Sequence, residues 1–277
     1  MTVPKVMTDM GDGNCRFVEL AELLEGMDKP QPPTGPDPQV LFQDRFSSLS
    51  IDNAWGADSK ARWIDAWDRW HVRHLKDNHD LAWKVHQAGK THQIMADGLA
   101  LRALRKETKP GMPYTAGMIS TERSFGFRYG RVDVDMTVTH IGPGMHFSLW
   151  LLPVDGTWPP EVDMLELIGS NKFAPNGPVN LLFFNTLGGG PGIQWHEVPV
   201  DYIKARHRYS WVWNEQQMIW LVDGEIRRTQ PNFIKKDLYF LATWEVGASP
   251  NGDFPGPVTS NTAWPGEVIL HEVKVTR

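Results

Sequence analysis

The chain has 277 residues, 28 Lys+Arg against 33 Asp+Glu for a net charge of −5, 41% hydrophobic and 22% charged residues, a composition that excludes a disordered or collagen-like chain. A pI near 6.1 without a long basic run leaves no electrostatic footprint for nucleic acid or for an anionic membrane surface. Cys15 is the single cysteine, which excludes an intrachain disulfide and a cysteine-based zinc site, and no apolar run approaches the roughly 18 residues of a membrane span.

Met1 to Asp12 lack the cationic and apolar regions of an ordinary signal peptide. Residues 14–26 place Val18, Leu20, Leu23 and Leu24 near one side of a short helix, with Asn14 as cap and Gly26 as stop. Residues 28–39 are Pro-rich and carry no apolar side chain able to anchor a core, which reads as a semi-extended linker. Residues 1–39 therefore read as an N-terminal helix and linker, and 40–277 as the main domain, opening with an alternating strand at Val40 to Phe46.

Between Asp58 and His86, Trp63, Trp67, Trp70 and His74 recur at helical spacing, so a helical insertion is expected near 58–86. His71, His74, His79 and His86 fall in the same segment, but their spacing resembles no metal-binding pair, and no metal is expected.

From His92 onward, β-favouring stretches punctuated by Gly and Pro follow at 99–104, 115–122, 130–140, 145–153, 161–168, 179–186, 208–213, 217–222, 237–246 and 267–275. Asp223-Gly224 marks a tight hairpin. So many short strands imply an all-β sandwich. Trp211, Trp213 and Trp220 alternate with apolar neighbours and are expected to pack in the core, whereas Trp150, Trp158 and Trp244 are candidates for a groove.

The chemically informative stretch is Trp158-Pro-Pro-Glu161-Val-Asp163-Met-Leu-Glu166-Leu-Ile-Gly169. Three acids interrupt an apolar strand, which is costly unless they face a wet surface. Alternation puts Glu161 and Asp163 on one face and turns Glu166 to the other. One extra residue, a β-bulge at Met164-Leu165, returns Glu166 to the first face.

Such a row suits retaining glycoside hydrolysis, in which one carboxylate attacks the anomeric carbon and a protonated partner serves the leaving oxygen. Four strand steps span roughly 13 Å, against about 5–5.5 Å between the two carboxyl groups of a retaining pair. The longer reach of Glu, the bulge and the strand twist must close that gap.

This segment closely resembles the bulged Glu-x-Asp-x-x-Glu signature of family 16 glycoside hydrolases, the laminarinase, agarase and carrageenase group. The resemblance extends over about residues 40 to 277, through Ala96 to Leu99, Tyr114 to Ser120, Phe127 to Val132, His207 to Trp213, Trp220 to Gly224 and Leu238 to Leu241. It implies a β-jelly-roll of two curved antiparallel sheets, the concave one forming a glycan cleft. It also implies Glu161 as nucleophile, Glu166 as general acid/base, Asp163 as helper between them, and no cofactor.

The sequence departs from the pattern at His146, where laminarinase-like members often carry a Trp platform; at His92, Asn180 and Thr243; and at His271, where many members have an Asp that helps hold a structural calcium. Substrate binding is expected at His146, Trp150, Trp158 and Trp244.

The reading that follows is an endo-β-glycanase acting on a β-1,3- or β-1,3/1,4-linked polysaccharide, a bacterial exopolysaccharide among the candidates. A transglycosylase and a non-catalytic carbohydrate-binding protein are its alternatives. The polysaccharide is the expected partner, and action outside the cell is expected. The start of the chain and the linker point either to signal-independent export or to attachment, through residues 1–39, to a larger particle such as a phage depolymerase.

Overall fold

The computed structural model describes residues 5–9, 15–19, 38–52, 62–64, 81–84, 88–169, 181–197, 204–247 and 256–277. Its strands in chain order begin with β1 (Lys5–Asp9), β2 (Cys15–Glu19), β3 (Val40–Asp44), β4 (Ile51–Asp52), β5 (Trp63–Ile64), β6 (Ala82–Lys84), β7 (His92–Met95), β8 (Gly98–Leu104), β9 (Tyr114–Ala116) and β10 (Met118–Ser120). There follow β11 (Gly130–His140), β12 (Met145–Pro153), β13 (Glu161–Ile168), β14 (Leu181–Leu187), β15 (Gln194–Glu197), β16 (Arg206–Trp213), β17 (Gln217–Val222), β18 (Glu225–Pro231), β19 (Leu238–Val246) and β20 (Gly266–Thr276).

Two large sheets build the domain. The eight-stranded sheet runs β15-β14-β13-β12-β19-β10-β5-β4, and the ten-stranded one β18-β17-β16-β11-β20-β8-β9-β6, with β3 added on β20 and β7 on β8. Nearly all pairings are antiparallel; β4 with β5 and β6 with β9 run parallel. Several neighbours in a sheet are distant in sequence: β12 lies between β13 and β19, and β11 between β16 and β20. This is the all-β jelly-roll sandwich expected from the sequence. Among the described residues, no helix is long and apolar enough to cross a membrane.

Period-two alternation explains how each sheet closes the core. In β12, Met145, Phe147, Leu149 and Leu151 enter the inter-sheet core, as do Leu238, Phe240, Ala242, Trp244 and Val246 of β19 and Val162, Leu165 and Leu167 of β13. The ten-stranded sheet answers with Val132, Val134 and Met136 of β11, Trp211 and Trp213 of β16, and Trp220 of β17. Trp211 and Trp213 stack with centroids 5.3 Å apart, so these tryptophans pack as expected. Each such apolar side chain, once buried, contributes on the order of 1.5–3 kcal/mol.

The Val222-to-Glu225 hairpin closes through Asp223 and Gly224 with φ of 52° and 82°, the two positive values a two-residue turn of this kind requires. At the end of β13, Gly169 is fixed by space: a Cβ there would lie 1.7 Å from the Gly142 carbonyl oxygen.

One helical expectation is corrected, and the other falls mostly outside the described residues. Cys15–Glu19 pairs as a strand with Lys5–Asp9, Phe17 opposite Met7 and Val18 opposite Val6, where a helix over 14–26 was expected. Phe17 and Val18 are residue types that favour a strand, and residues 20–26 lie outside the described residues. Within 58–86, Trp63 is a strand residue, wholly buried between Phe42 and Phe46. Trp67, Trp70, His71, His74 and His79 lie outside the described residues, as does His86.

Candidate active site

The outward face of the eight-stranded sheet, opposite the core, carries the acids. On β13, Asp163 pairs with Trp150 and Leu165 with Leu149, leaving Met164 without a partner on β12. On the other side, Asp163 pairs with Asn185 and Glu166 with Phe183, so three steps along β13 match two along β14. This is the bulge expected at Met164-Leu165, and its effect is to turn Glu161, Asp163 and Glu166 to one face while Val162, Leu165 and Leu167 stay in the core.

The three carboxyl groups occupy distinct environments. Glu161 is half-buried, and its Oε2 accepts the indole Nε1–H of Trp158 at 2.8 Å. Burial, together with the charges of Glu166 and Glu245, outweighs that hydrogen bond and brings Glu161 up to about 7. Asp163 is buried; desolvation first, then the charges of Glu166 and Glu161, push it well above the ordinary aspartate value and favour its neutral form. Glu166 is buried as well and faces His146, whose Nε2 stands 3.3 Å from Glu166 Oε1.

Support comes from both neighbouring strands and from the sheet behind. Ser148 of β12 lies opposite both Glu166 and Thr243, and Trp150 donates its Nε1–H to Thr243 Oγ1 at 3.1 Å. Met118, Trp150, Leu152, Tyr239 and Leu241 form an apolar cluster on the same outward face. Behind β13, Trp220 donates its Nε1–H to the Asp163 carbonyl oxygen at 3.0 Å. The buried guanidinium of Arg228 lies 4.7 Å over the Trp220 ring and donates from Nη1 to the Phe184 carbonyl at 2.7 Å. Burial lowers Arg228 to about 10, opposed by the charge of Asp163.

Of the residues expected to bind substrate, Trp158 is half exposed and stands directly beside Glu161. Trp150 is on the acid-bearing face but buried in its apolar cluster. His146 is buried between two carboxylates, with Nδ1 also 3.0 Å from Glu245 Oε2, so it presents no open platform.

Trp244 is a correction. It is wholly buried in the inter-sheet core, its ring against Phe147 at 5.2 Å and its Nε1–H donated to the Leu101 carbonyl at 2.9 Å. Alternation along β19 decides this, because the outward positions are Tyr239, Leu241, Thr243 and Glu245.

Glu245 itself was missed by sequence reasoning, although a lone acid in the apolar run Leu238–Val246 is the same kind of signal as Glu161. His92 is buried, bonded through Nε2 to the Met118 carbonyl at 2.7 Å; Asn180 lies outside the described residues. Among the described residues, no group of three His, Cys, Asp or Glu is arranged to hold a metal ion. His271 lies with Nδ1 2.7 Å from the Asp97 carbonyl and Nε2 2.9 Å from Thr137 Oγ1.

Comparison with known proteins gives four findings. Residues 75–243 match the model of the family described as glycosyl hydrolases family 16. The endo-1,3-1,4-beta-glycanase EglC of Rhizobium meliloti (strain 1021) is 27% identical over 248 residues, 84% of this chain and 50% of that protein. The endo-1,3-1,4-beta-glycanase ExsH of the same organism is 30% identical over 139 residues, 50% of this chain and 29% of that protein. The chain thus spans half or less of the length of these two relatives. Among solved structures, the catalytic domain of an endo-1,3-beta-glucanase (laminarinase) from Thermotoga petrophila RKU-1 superposes with a TM-score of 0.71 at 18% identity, covering 87% of this chain and 98% of that one. That is a likeness of fold.

Proposed function

The chain belongs to glycosyl hydrolases family 16, and from that premise we propose that it is an endo-β-glycanase that cleaves internal bonds of a β-1,3/1,4-linked polysaccharide with retention of configuration. The observation that carries the reading is the bulge in β13, which turns Glu161, Asp163 and Glu166 to one face of the sheet. The choice of linkage is supported by two relatives named as endo-1,3-1,4-beta-glycanases.

In this reading, Glu161 as carboxylate attacks the anomeric carbon while Glu166 passes its proton to the glycosidic oxygen. The C–O bond breaks, its electron pair stays with the leaving oxygen, and the sugar is left esterified to Glu161. Glu166, now a carboxylate, takes a proton from water, whose oxygen attacks the same carbon and releases Glu161. Asp163, placed between the two glutamates in the strand and favoured in its neutral form by burial, lowers the charge of the row when protonated and can then donate to Glu161 as its charge returns. Trp158 offers a flat apolar face on which the C–H side of a pyranose can stack, next to the attacking carboxylate.

The test is release of reducing sugar from mixed-linkage β-1,3/1,4-glucan, laminarin, agarose, carrageenan and a bacterial exopolysaccharide, with the anomer of the first product read by NMR. Release of β-configured ends from the mixed-linkage glucan supports the proposal. Release from the exopolysaccharide alone moves the substrate to that class. An α-configured first product, or binding without cleavage on every polymer, overturns it.

A further inference from the structure

Retaining hydrolysis as set out above uses two glutamates and an aspartate and leaves His146 and Glu245 without a part. Yet both point to the acid-bearing face from adjacent strands, directly opposite one another in the β12–β19 ladder. His146 is buried, with Nδ1 3.0 Å from Glu245 Oε2 and Nε2 3.3 Å from Glu166 Oε1. The imidazole is therefore held between the carboxyl group assigned as acid/base and a second carboxylate with no assigned role.

The charged groups facing His146 can be named strand by strand. Its own strand, Met145–Pro153, has no other charged residue. Glu245 is the only one on Leu238–Val246. On Glu161–Ile168 they are Glu161, Asp163 and Glu166. Every one is acidic, so a buried imidazole here is more stable with its second proton than without it.

We propose that His146 and Glu245 form a charge couple that positions Glu166 and sets its proton affinity, His146 being the cation that faces the acid/base and Glu245 the counter-ion that keeps it one. The inference rests on the reading of Glu166 as acid/base. Glu166 must be protonated before bond cleavage, a carboxylate in the glycosyl-enzyme, and protonated again at the end. A buried apolar wall would favour only the neutral form, and an isolated cation only the carboxylate. An imidazolium partly neutralised by its own carboxylate lies between these extremes, and its proton stays on His146 through both steps. His146 and Glu245 are thus positioning residues, acting through Glu166. Burial alone would lower His146, but contact with Glu166 and Glu245 raises it to about 9, in accord with the geometry.

Two measurements test the couple. The first is the NMR titration of His146 in the wild-type protein and in Glu245→Gln, which requires no turnover. Titration well above the ordinary histidine value in the wild type, falling by about 1 pH unit or more in Glu245→Gln, is the expected result. Titration at or below the ordinary value in the wild type overturns the couple even if every variant fails to fold.

The second measurement is the alkaline limb of kcat/KM against pH. His146→Asn removes the cation and should move that limb up by about 1 pH unit, whereas Glu245→Gln removes the counter-ion and should move it down by about as much. The double variant should return towards the wild-type limb. Shifts of the same sign, or lowered kcat with an unmoved limb, would reduce the pair to a structural role and overturn the proposal. Absence of turnover by the wild type on every polymer counts against the hydrolase reading, and the titration then decides the couple on its own.

Discussion

Trp158 donates its indole N–H to Oε2 of Glu161 at 2.8 Å from a ring that is 51% exposed. The aromatic surface proposed to receive a sugar and the carboxylate proposed to attack it are therefore one unit. Trp158→Phe keeps a ring and removes the donor, so Glu161 should rise above about 7, and the acid limb of kcat/KM should move to higher pH by about 1 unit. Trp158→Ala should add a rise in KM. An acid limb unmoved in Trp158→Phe would separate the two roles.

Glu161→Gln and Glu166→Gln should differ by substrate. Both are expected to lose on the order of 10²–10⁴ or more in kcat on polysaccharide. An aryl β-glycoside with an acidic phenol leaves without a proton, so on it the first step of Glu166→Gln should recover while Glu161→Gln stays inactive. Burst kinetics on such a glycoside check this. Equal recovery in both variants would remove the assignment of nucleophile and acid.

Stability should fall as pH rises through neutrality. Glu161, raised by burial from 4.5 to about 7, and Asp163, raised well above its ordinary value by burial and its acidic neighbours, hold protons in the folded state that the unfolded chain has released. The folded state thus binds more protons, and stability declines as pH rises through these values. His146 has the same sign: its contribution is complete below 6.5 and is lost as pH rises through about 9. Asp135 acts oppositely, because Arg208 and Arg206 outweigh its burial and hold it low, so its contribution is lost in acid. Thermal denaturation should show Tm decreasing between about pH 5 and 9. Asp163→Asn should flatten the decline and raise Tm at alkaline pH while lowering activity, and a Tm that climbs over that range would contradict the burial of these acids.

Gly169→Ala should destabilise the fold by about 1–3 kcal/mol, since its Cβ would collide with the Gly142 carbonyl at the end of β13. Urea denaturation measures this directly. Gly224→Ala is the contrasting case, because nothing stands within 4 Å of a Cβ there and only the positive φ opposes it; its cost should be smaller, about 1 kcal/mol.

Long strands and the acidic row were legible because both follow from period two. Gly130–His140, Met145–Pro153 and Glu161–Ile168 stand where alternation and turn residues put them. The same rule, applied consistently to Leu238–Val246, would have sent Trp244 inward and brought Glu245 out beside His146; tryptophan's suitability for sugars hid it. Trp63 was read by its spacing to later tryptophans, whereas its place is decided by Phe42 and Phe46, distant in sequence until the strands assemble. The ion contacts of His146 depend on two strands far apart in the chain, which no local pattern encodes.

Met164, the step of β13 without a partner on β12, makes changes of length at this point unequal in their effects. Delete it, and the second glutamate falls four residues after Glu161, still in phase with it by plain alternation. Insert one residue more, and that glutamate stands six residues after Glu161, in phase again by plain alternation but two strand steps, roughly 7 Å, farther along the face. The strand behaves as a message with one silent character already spent: shortened, it reads at the same spacing, but lengthened, it reads only at a wider one.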